Sequence, residues 1–245
     1  GGAEGIDVHQ LSPWIELRTL PPDTIAGLDT QTHRRFMKTH LPVDALIFSP
    51  RAKYIYIGRD GRDTAWSFFN HHFNANDDYF KRYNAGFDGP PFERGTGNVR
   101  EFYAGWMSGN GFPYWPFWEN VRSWWGIRHL PNVMLIHFND MKTDLAGSIR
   151  RIAEFLDIPA DPAVFPKIVE HCSFGYMRAN AEQVTPRGGA SWNGGAKTFI
   201  NKGTNGRWRD VLTADETAAY DAKAVAELGA DCARWLASGG KATAG

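Results

Sequence analysis

Two continuous apolar stretches divide the chain. Tyr54-Ile55-Tyr56-Ile57, entered through Lys53, and Val133-Met134-Leu135-Ile136-His137-Phe138 are rich in β-branched and aromatic residues. Runs of this length without polar alternation suit strands of a buried parallel sheet. The first leads into Gly58-Arg59-Asp60-Gly61-Arg62-Asp63, a turn with a helix-capping residue, and Thr64 to His72 then reads as a helix. A shorter strand is expected over Arg34–His40, stopping before Pro42, after an irregular stretch over residues 1–33.

Between and after the strands the apolar period changes to that of helices. Phe117 to His129 carries Trp118, Val121, Trp125 and Arg128 at helical spacing, and Pro131-Asn132 ends it. Asp140 to Leu156 places Leu145, Ile149, Ile152 and Leu156 on one face. Asp161 to His171 reads as a further short helix, and Thr213 to Leu236 as a closing one, begun by a capping box of Thr213 and Glu216. Residues 84–112 and 184–207 are glycine-rich and read as loops. Strands alternating with helices imply an α/β fold, a parallel sheet flanked by helices. Ligands of such sheets bind at the carboxyl ends of the strands, where Arg59, His40 and Phe138 fall.

Composition narrows the functional classes. The 245 residues form one expected domain over 1–245. Lys plus Arg and Asp plus Glu both total 27, so the chain has no global field for nucleic acid or an acidic membrane, and any anion site must be a local cluster. No stretch approaches the run of about 18 apolar residues that spans a bilayer, and residues 1–5 lack the pattern of a signal peptide. Cys172 and Cys232 have no metal spacing. Ten Trp and sixteen Phe supply either an aromatic core or an apolar acceptor pocket, and composition does not choose between them.

Three segments carry candidate chemistry. Arg59 leaves a strand end as a planar fork suited to phosphate, and Ser67 follows eight residues later with a hydroxyl donor. Lys38 and His40 are two residues apart and therefore share one side of a strand, so an ammonium and a base that titrates near neutrality can face one centre. Lys202-Gly203 lies in a loop where glycine permits close backbone approach to a phosphate and lysine adds charge. A surface arginine, a satisfied histidine and a plain loop are the alternatives for each segment taken alone.

Together these segments resemble the cytosolic-type PAPS-dependent sulfotransferases. Lys38-Thr39-His40-Leu41-Pro42 is similar to their KTHLP segment. The stretch from Lys53 to Ser67 resembles their 3′-phosphate segment, with Arg and Ser at the same offset, and Lys202-Gly203-x-x-Gly206-x-Trp208 resembles their RKGxxGxW signature. The order matches as well, over about residues 34–213. The resemblance implies a P-loop-nucleotide-hydrolase-like fold and transfer of a sulfuryl group from PAPS to an acceptor hydroxyl, leaving PAP, without a metal. His40 would then be the general base and Lys38 the stabiliser of the transferring group. Arg59, Ser67, Lys202 and Gly203 would hold the 3′-phosphate, and Phe138, Cys172 and Phe174 would line the adenine pocket. A small apolar alcohol, a phenol or a glycolipid would be the acceptor, in the cytoplasm.

The chain departs from the family pattern in three places. The 5′-phosphosulfate loop, a PKSGTTW-like segment, is not found in the sequence, and we expect it in a native protein that extends further at the N-terminus. Asn201 stands where the family has Arg before Lys-Gly, which weakens the phosphate grip or shares it with Arg207. The dimer signature KxxxTVxxxE is matched by Arg209 and Thr213 but not by Ala214 and Ala218, so a homodimer stays open. Two rivals are a sulfotransferase-like binding module, which would not need His40, and a small-molecule kinase, which would need a GxxxxGK[ST] loop that the sequence lacks.

Overall fold

The computed structural model describes residues 11–17, 23–112 and 115–242. The chain forms two compact units, one from residues 1–40, 69–98 and 174–203, the other from residues 41–68, 99–173 and 204–245.

The second unit holds both apolar strands. β1 (Tyr54–Gly58) and β2 (Val133–His137) pair in parallel, from Tyr54 opposite Val133 to Gly58 opposite His137. Among the described residues the sheet has two strands, and β1 is less buried than its run of apolar residues suggests: Ile57 is 55% exposed. Between β1 and β2 the unit also holds α4 (Val99–Ser108) and α5 (Phe117–Gly126). β2 is followed by α6 (Phe138–Thr143), α7 (Leu145–Phe155) and α8 (Phe165–His171), and the unit ends with α12 (Ala214–Leu228) and α13 (Ala230–Ser238). Its core is aromatic: Trp66, Trp106, Trp118, Trp124, Trp208, Tyr220 and Trp235 are buried together. Gly58 is required where β1 ends, because a Cβ there would stand 2.3 Å from the Trp235 ring.

Several boundaries differ from the sequence expectation. Residues 84–112 are not all loop: α4 forms because Val99, Phe102, Tyr103 and Trp106 recur at helical spacing and pack on the core, which outweighs the glycines. The helix expected over 140–156 is two helices, since Asp144 leaves the helical region (φ −139°, ψ 82°) and its carboxylate caps α7 by accepting the Gly147 N–H at 2.8 Å. The closing helix is likewise divided at Gly229, at φ 77°. The capping box forms as expected: Thr213 accepts the Glu216 N–H at 3.2 Å and Glu216 accepts the Thr213 N–H at 2.8 Å.

α2 (Gly61–Phe73) begins in the second unit and its last five residues belong to the first. The first unit also holds α1 (Asp23–Gly27), α3 (Asp77–Asn84), α9 (Phe174–Ala179), α10 (Ala181–Val184) and α11 (Ala196–Phe199), so residues 184–207 are not a continuous loop. Its small core is Ala75, Tyr79 and Trp192, with Phe80, Tyr83, Phe92 and Phe199 against it. The strand expected over Arg34–His40 is reduced to one parallel bridge, Trp14 with Lys38. That bridge supplies the partner at this point in the chain, with Lys38 N–H donating to Pro13 O at 2.8 Å and Ile15 N–H to Lys38 O at 3.0 Å. Among the described residues no helix is long and apolar enough to cross a membrane.

Candidate functional site

In the second unit the turn after β1 presents Arg59. Its guanidinium donates to Asn205 Oδ1 from Nε at 3.1 Å and from Nη2 at 2.8 Å, and Nη2 also donates to Thr204 O at 3.4 Å. The same group lies 4.5 Å over the Phe138 ring, a cation–π contact. Among the described residues Arg59 makes no ion pair, so its bonds go to neutral oxygens that an anion can replace. Burial, with Arg207 as a second cation nearby, lowers its pKa against the pull of Asp63 and Asp60. This donor set fits a phosphate group: a half-buried fork bonded only to neutral acceptors, with a second positive charge close by.

The loop beside Arg59 is held in three ways. Asp63 Oδ1 accepts the Gly206 N–H at 2.7 Å. Asn205 donates through Nδ2 to Asn139 Oδ1. Trp208 carries the Arg62 guanidinium at 3.9 Å from its ring, and Tyr220 carries it at 4.4 Å on another side. Arg62 is itself buried, with bonds to both oxygens of Asp60 at 3.0 and 2.7 Å and to Asp221 at 3.0 Å. The Asp60-to-Asp63 turn thus serves as a clamp for the Gly206–Trp208 segment. Ser67 is exposed on α2, and Cys172 is exposed after α8, with its thiol pushed up by partial desolvation.

In the first unit Lys38 and His40 share a neighbour. The Lys38 ammonium lies 4.5 Å over the Trp14 ring, and the His40 ring meets the same indole edge-on with centroids 4.5 Å apart. Both side chains therefore lie on one side of the bridge, as the two-residue spacing implies. Glu16, which sequence reasoning did not single out, is bound to His40 twice: Oε1 accepts the His40 backbone N–H at 2.6 Å and lies 3.3 Å from its Nδ1. Burial pushes the Glu16 carboxyl up, but the hydrogen bonds from His40 prevail and hold it at about 2. Burial lowers the His40 pKa, aided by Lys38 and opposed by Glu16, and so favours the neutral ring. Crowding around the Lys38 ammonium lowers its pKa too, although much of the side chain is exposed.

The Lys202-Gly203 segment of this unit is tied down by residues that no motif marks. Arg178 donates to Ile200 O at 2.8 Å and to Asn201 O, and Asn201 Nδ2 donates to Asn70 Oδ1. Asn201, standing where the related motif carries Arg, thus spends its side chain on α2. Lys202 is exposed, and Gly203 takes φ +61° with the Phe174 ring against it. Among the described residues no group of three or more His, Cys, Asp or Glu is arranged to hold a metal ion.

Comparisons with known proteins agree with one another. The model of the sulfotransferase domain family matches residues 3–229. A glycolipid sulfotransferase of Mycobacterium bovis is 31% identical over 237 residues, covering 86% of this chain and 72% of the relative. Sulfotransferase 2A6 of Rattus norvegicus is 27% identical, over 89% of this chain and 71% of its own length. Among solved structures, mouse sulfotransferase SULT7A1 complexed with PAP superposes with a TM-score of 0.70 at 24% identity, over 92% of this chain and 76% of that one. Retinol dehydratase in a complex with retinol and PAP gives 0.61 at 28% identity, over 83% and 53%.

Proposed function

This chain belongs to the sulfotransferase domain family, and on that premise we propose that it moves a sulfuryl group from PAPS to an acceptor hydroxyl, with His40 as general base. The observation that carries the assignment of the base is the arrangement on Trp14: an imidazole kept neutral by burial and an ammonium, both within 4.5 Å of one indole. A neutral imidazole near pH 7 is the form that accepts a proton.

PAPS supplies the activated sulfuryl group, whose bond to the 5′-phosphate oxygen breaks as the acceptor oxygen bonds to sulfur. His40 takes the hydroxyl proton as that bond forms. Lys38 offers positive charge to the oxygens of the group in transit, so the protein contributes chiefly position and electrostatic stabilisation. Arg59 and Ser67 are assigned to the 3′-phosphate, and Lys202 and Gly203 to the same group by their motif. Phe138, Cys172 and Phe174 are assigned to the adenine. The Arg59–Phe138 contact of 4.5 Å supports a role for that ring beside a bound nucleotide.

The acceptor class we favour is a glycolipid or another apolar alcohol, because the mycobacterial relatives carry the name glycolipid sulfotransferase. The cytoplasm is the proposed compartment, and fractionation of cells expressing the native protein tests it. The experiment for the reaction itself is transfer of labelled sulfate from PAPS to a panel of glycolipids and apolar alcohols by the full-length protein and its His40→Ala variant. Transfer lost in the variant, with PAP binding retained, supports the reading. Transfer that survives His40→Ala removes His40 as the base.

A further inference from the structure

We propose that Glu16 is a positioning residue for His40, holding the imidazole in the tautomer that leaves Nε2 to take the acceptor proton. The inference rests on the reading of His40 as the base and adds a residue to which no motif pointed.

The backbone builds the pair. Trp14 and Lys38 face each other across the parallel bridge, pinned by Lys38 N–H to Pro13 O and Ile15 N–H to Lys38 O. Past the bridge Ile15 and Glu16 form a turn, closed by Leu17 N–H to Trp14 O at 3.1 Å, while the other segment runs on from Lys38 to His40. The turn sets the carboxylate next to the imidazole. One oxygen, Oε1, takes the His40 backbone N–H at 2.6 Å and faces Nδ1 at 3.3 Å. Both side chains are about one-fifth exposed, at 22% and 21%.

A carboxylate only accepts hydrogen bonds, so the ring nitrogen facing it carries the proton. In a neutral imidazole the proton is then on Nδ1 and the lone pair on Nε2. The backbone bond to the same oxygen fixes the carboxylate relative to the residue it orients, and the edge of Trp14 limits rotation of the ring. Among the described residues the charged groups acting on His40 include Glu16, which favours its protonated form, and Lys38, which disfavours it. Glu16 therefore has two effects: it selects the tautomer, and it stabilises the imidazolium formed when the proton arrives.

The test uses full-length enzyme labelled with 15N-histidine, with ring-nitrogen NMR of His40 and pH–rate profiles for wild type, Glu16→Gln, Glu16→Ala and His40→Ala. Wild type is expected in the Nδ1–H tautomer. Glu16→Gln keeps shape and loses charge, so the His40 pKa falls and the acid limb of kcat moves to lower pH. In Glu16→Ala the tautomers mix and kcat falls roughly tenfold to hundredfold with KM little changed, as when an orienting partner of a histidine is lost. Glu16→Gln retains more activity than Glu16→Ala. An unchanged tautomer and an unmoved acid limb in Glu16→Gln overturn the proposal even if activity drops, because a structural role alone predicts that pattern. A fully active His40→Ala enzyme overturns the underlying reading instead, and the NMR result then still reports whether Glu16 sets the ring. Should Glu16→Ala not fold, the Glu16→Gln titration decides by itself.

Discussion

Asp63 accepts the backbone N–H of Gly206 at 2.7 Å, and this one bond connects the first turn of α2 to the loop that carries Asn205 and Arg207. Burial pushes the Asp63 carboxyl up, while the Gly206 N–H and the charges of Arg59 and Arg209 pull it down. A charge-assisted bond in such a setting contributes about 1.5–3 kcal/mol. Asp63→Ala is expected to lower the urea-unfolding free energy by about that amount and to weaken PAP binding, because the loop beside Arg59 loses its tether. Unchanged PAP affinity in a destabilised variant would confine Asp63 to folding.

Arg59→Ala tests the proposed anion site directly. The native guanidinium already bonds Asn205 and Thr204, so binding of a phosphate exchanges these bonds rather than creating bonds from nothing. Even so, a charged partner outweighs neutral ones. PAP affinity measured by calorimetry is expected to fall roughly tenfold to hundredfold, while AMP, which lacks the 3′-phosphate, binds both proteins alike. An equal loss for PAP and AMP would assign Arg59 to some other part of the nucleotide.

The sequence made the two strands legible because both are short, continuous apolar runs, and their parallel pairing followed from the helical patterns between them. The capping box of α12 was legible for the same local reason: Thr213 and Glu216 are three residues apart and each bonds to the other's backbone. α4 was hidden by glycine content, although Tyr103 and Trp106 are three apart and both are buried. The division of the helix at Asp144 could have been read, since Asp is a good N-cap, but the apolar period ran past it without a break.

Arg59, Ser67, Lys38, His40 and Lys202-Gly203 were nominated as candidates by motif spacing. Glu16 was not, because its significance depends on a bridge between segments 24 residues apart rather than on anything near it in sequence. Asn205 and Arg178 were missed on similar grounds: their partners, Arg59 and the carbonyl of Ile200, are distant in the chain. Spacing nominates candidate groups along the chain, whereas the partners of those groups are specified by tertiary contact.

Gly203 offers a test of loop geometry. Its φ of +61° is disfavoured for residues with a Cβ, and that Cβ would lie 2.6 Å from Cδ2 of Phe174. The backbone part alone costs about 1–2 kcal/mol. Gly203→Ala should therefore destabilise the chain to urea by at least that much, and Phe174→Ala in the same background should recover only the steric part. Full recovery in the double variant would show that the left-handed conformation is not maintained.

His71 predicts how the chain responds to acid. Its ring lies among aromatic neighbours, 4.9 Å from Trp192, 5.7 Å from Phe199 and 5.8 Å from Tyr79 by ring centroids. Burial, followed by the charges of His72 and Lys38, holds its pKa at about 4, well below the ordinary 6.5. The unfolded chain takes up this proton first, so stability falls as pH drops from about 6.5 to about 4 and levels off below that, a loss on the order of 3 kcal/mol. His40, His72 and His137 are also depressed and titrate in the same direction, so the wild-type curve alone cannot isolate His71. Glu16 adds a further loss only below its ordinary 4.5, continuing toward 2. The informative quantity is the difference between wild type and His71→Phe, which keeps an aromatic ring in the cluster and removes the titration. Urea midpoints compared at several pH values between 7 and 4.5 are expected to converge for the two proteins at the high end and to diverge in favour of His71→Phe as the pH falls. Parallel curves would mean that His71 protonates with equal ease in the folded and unfolded chain.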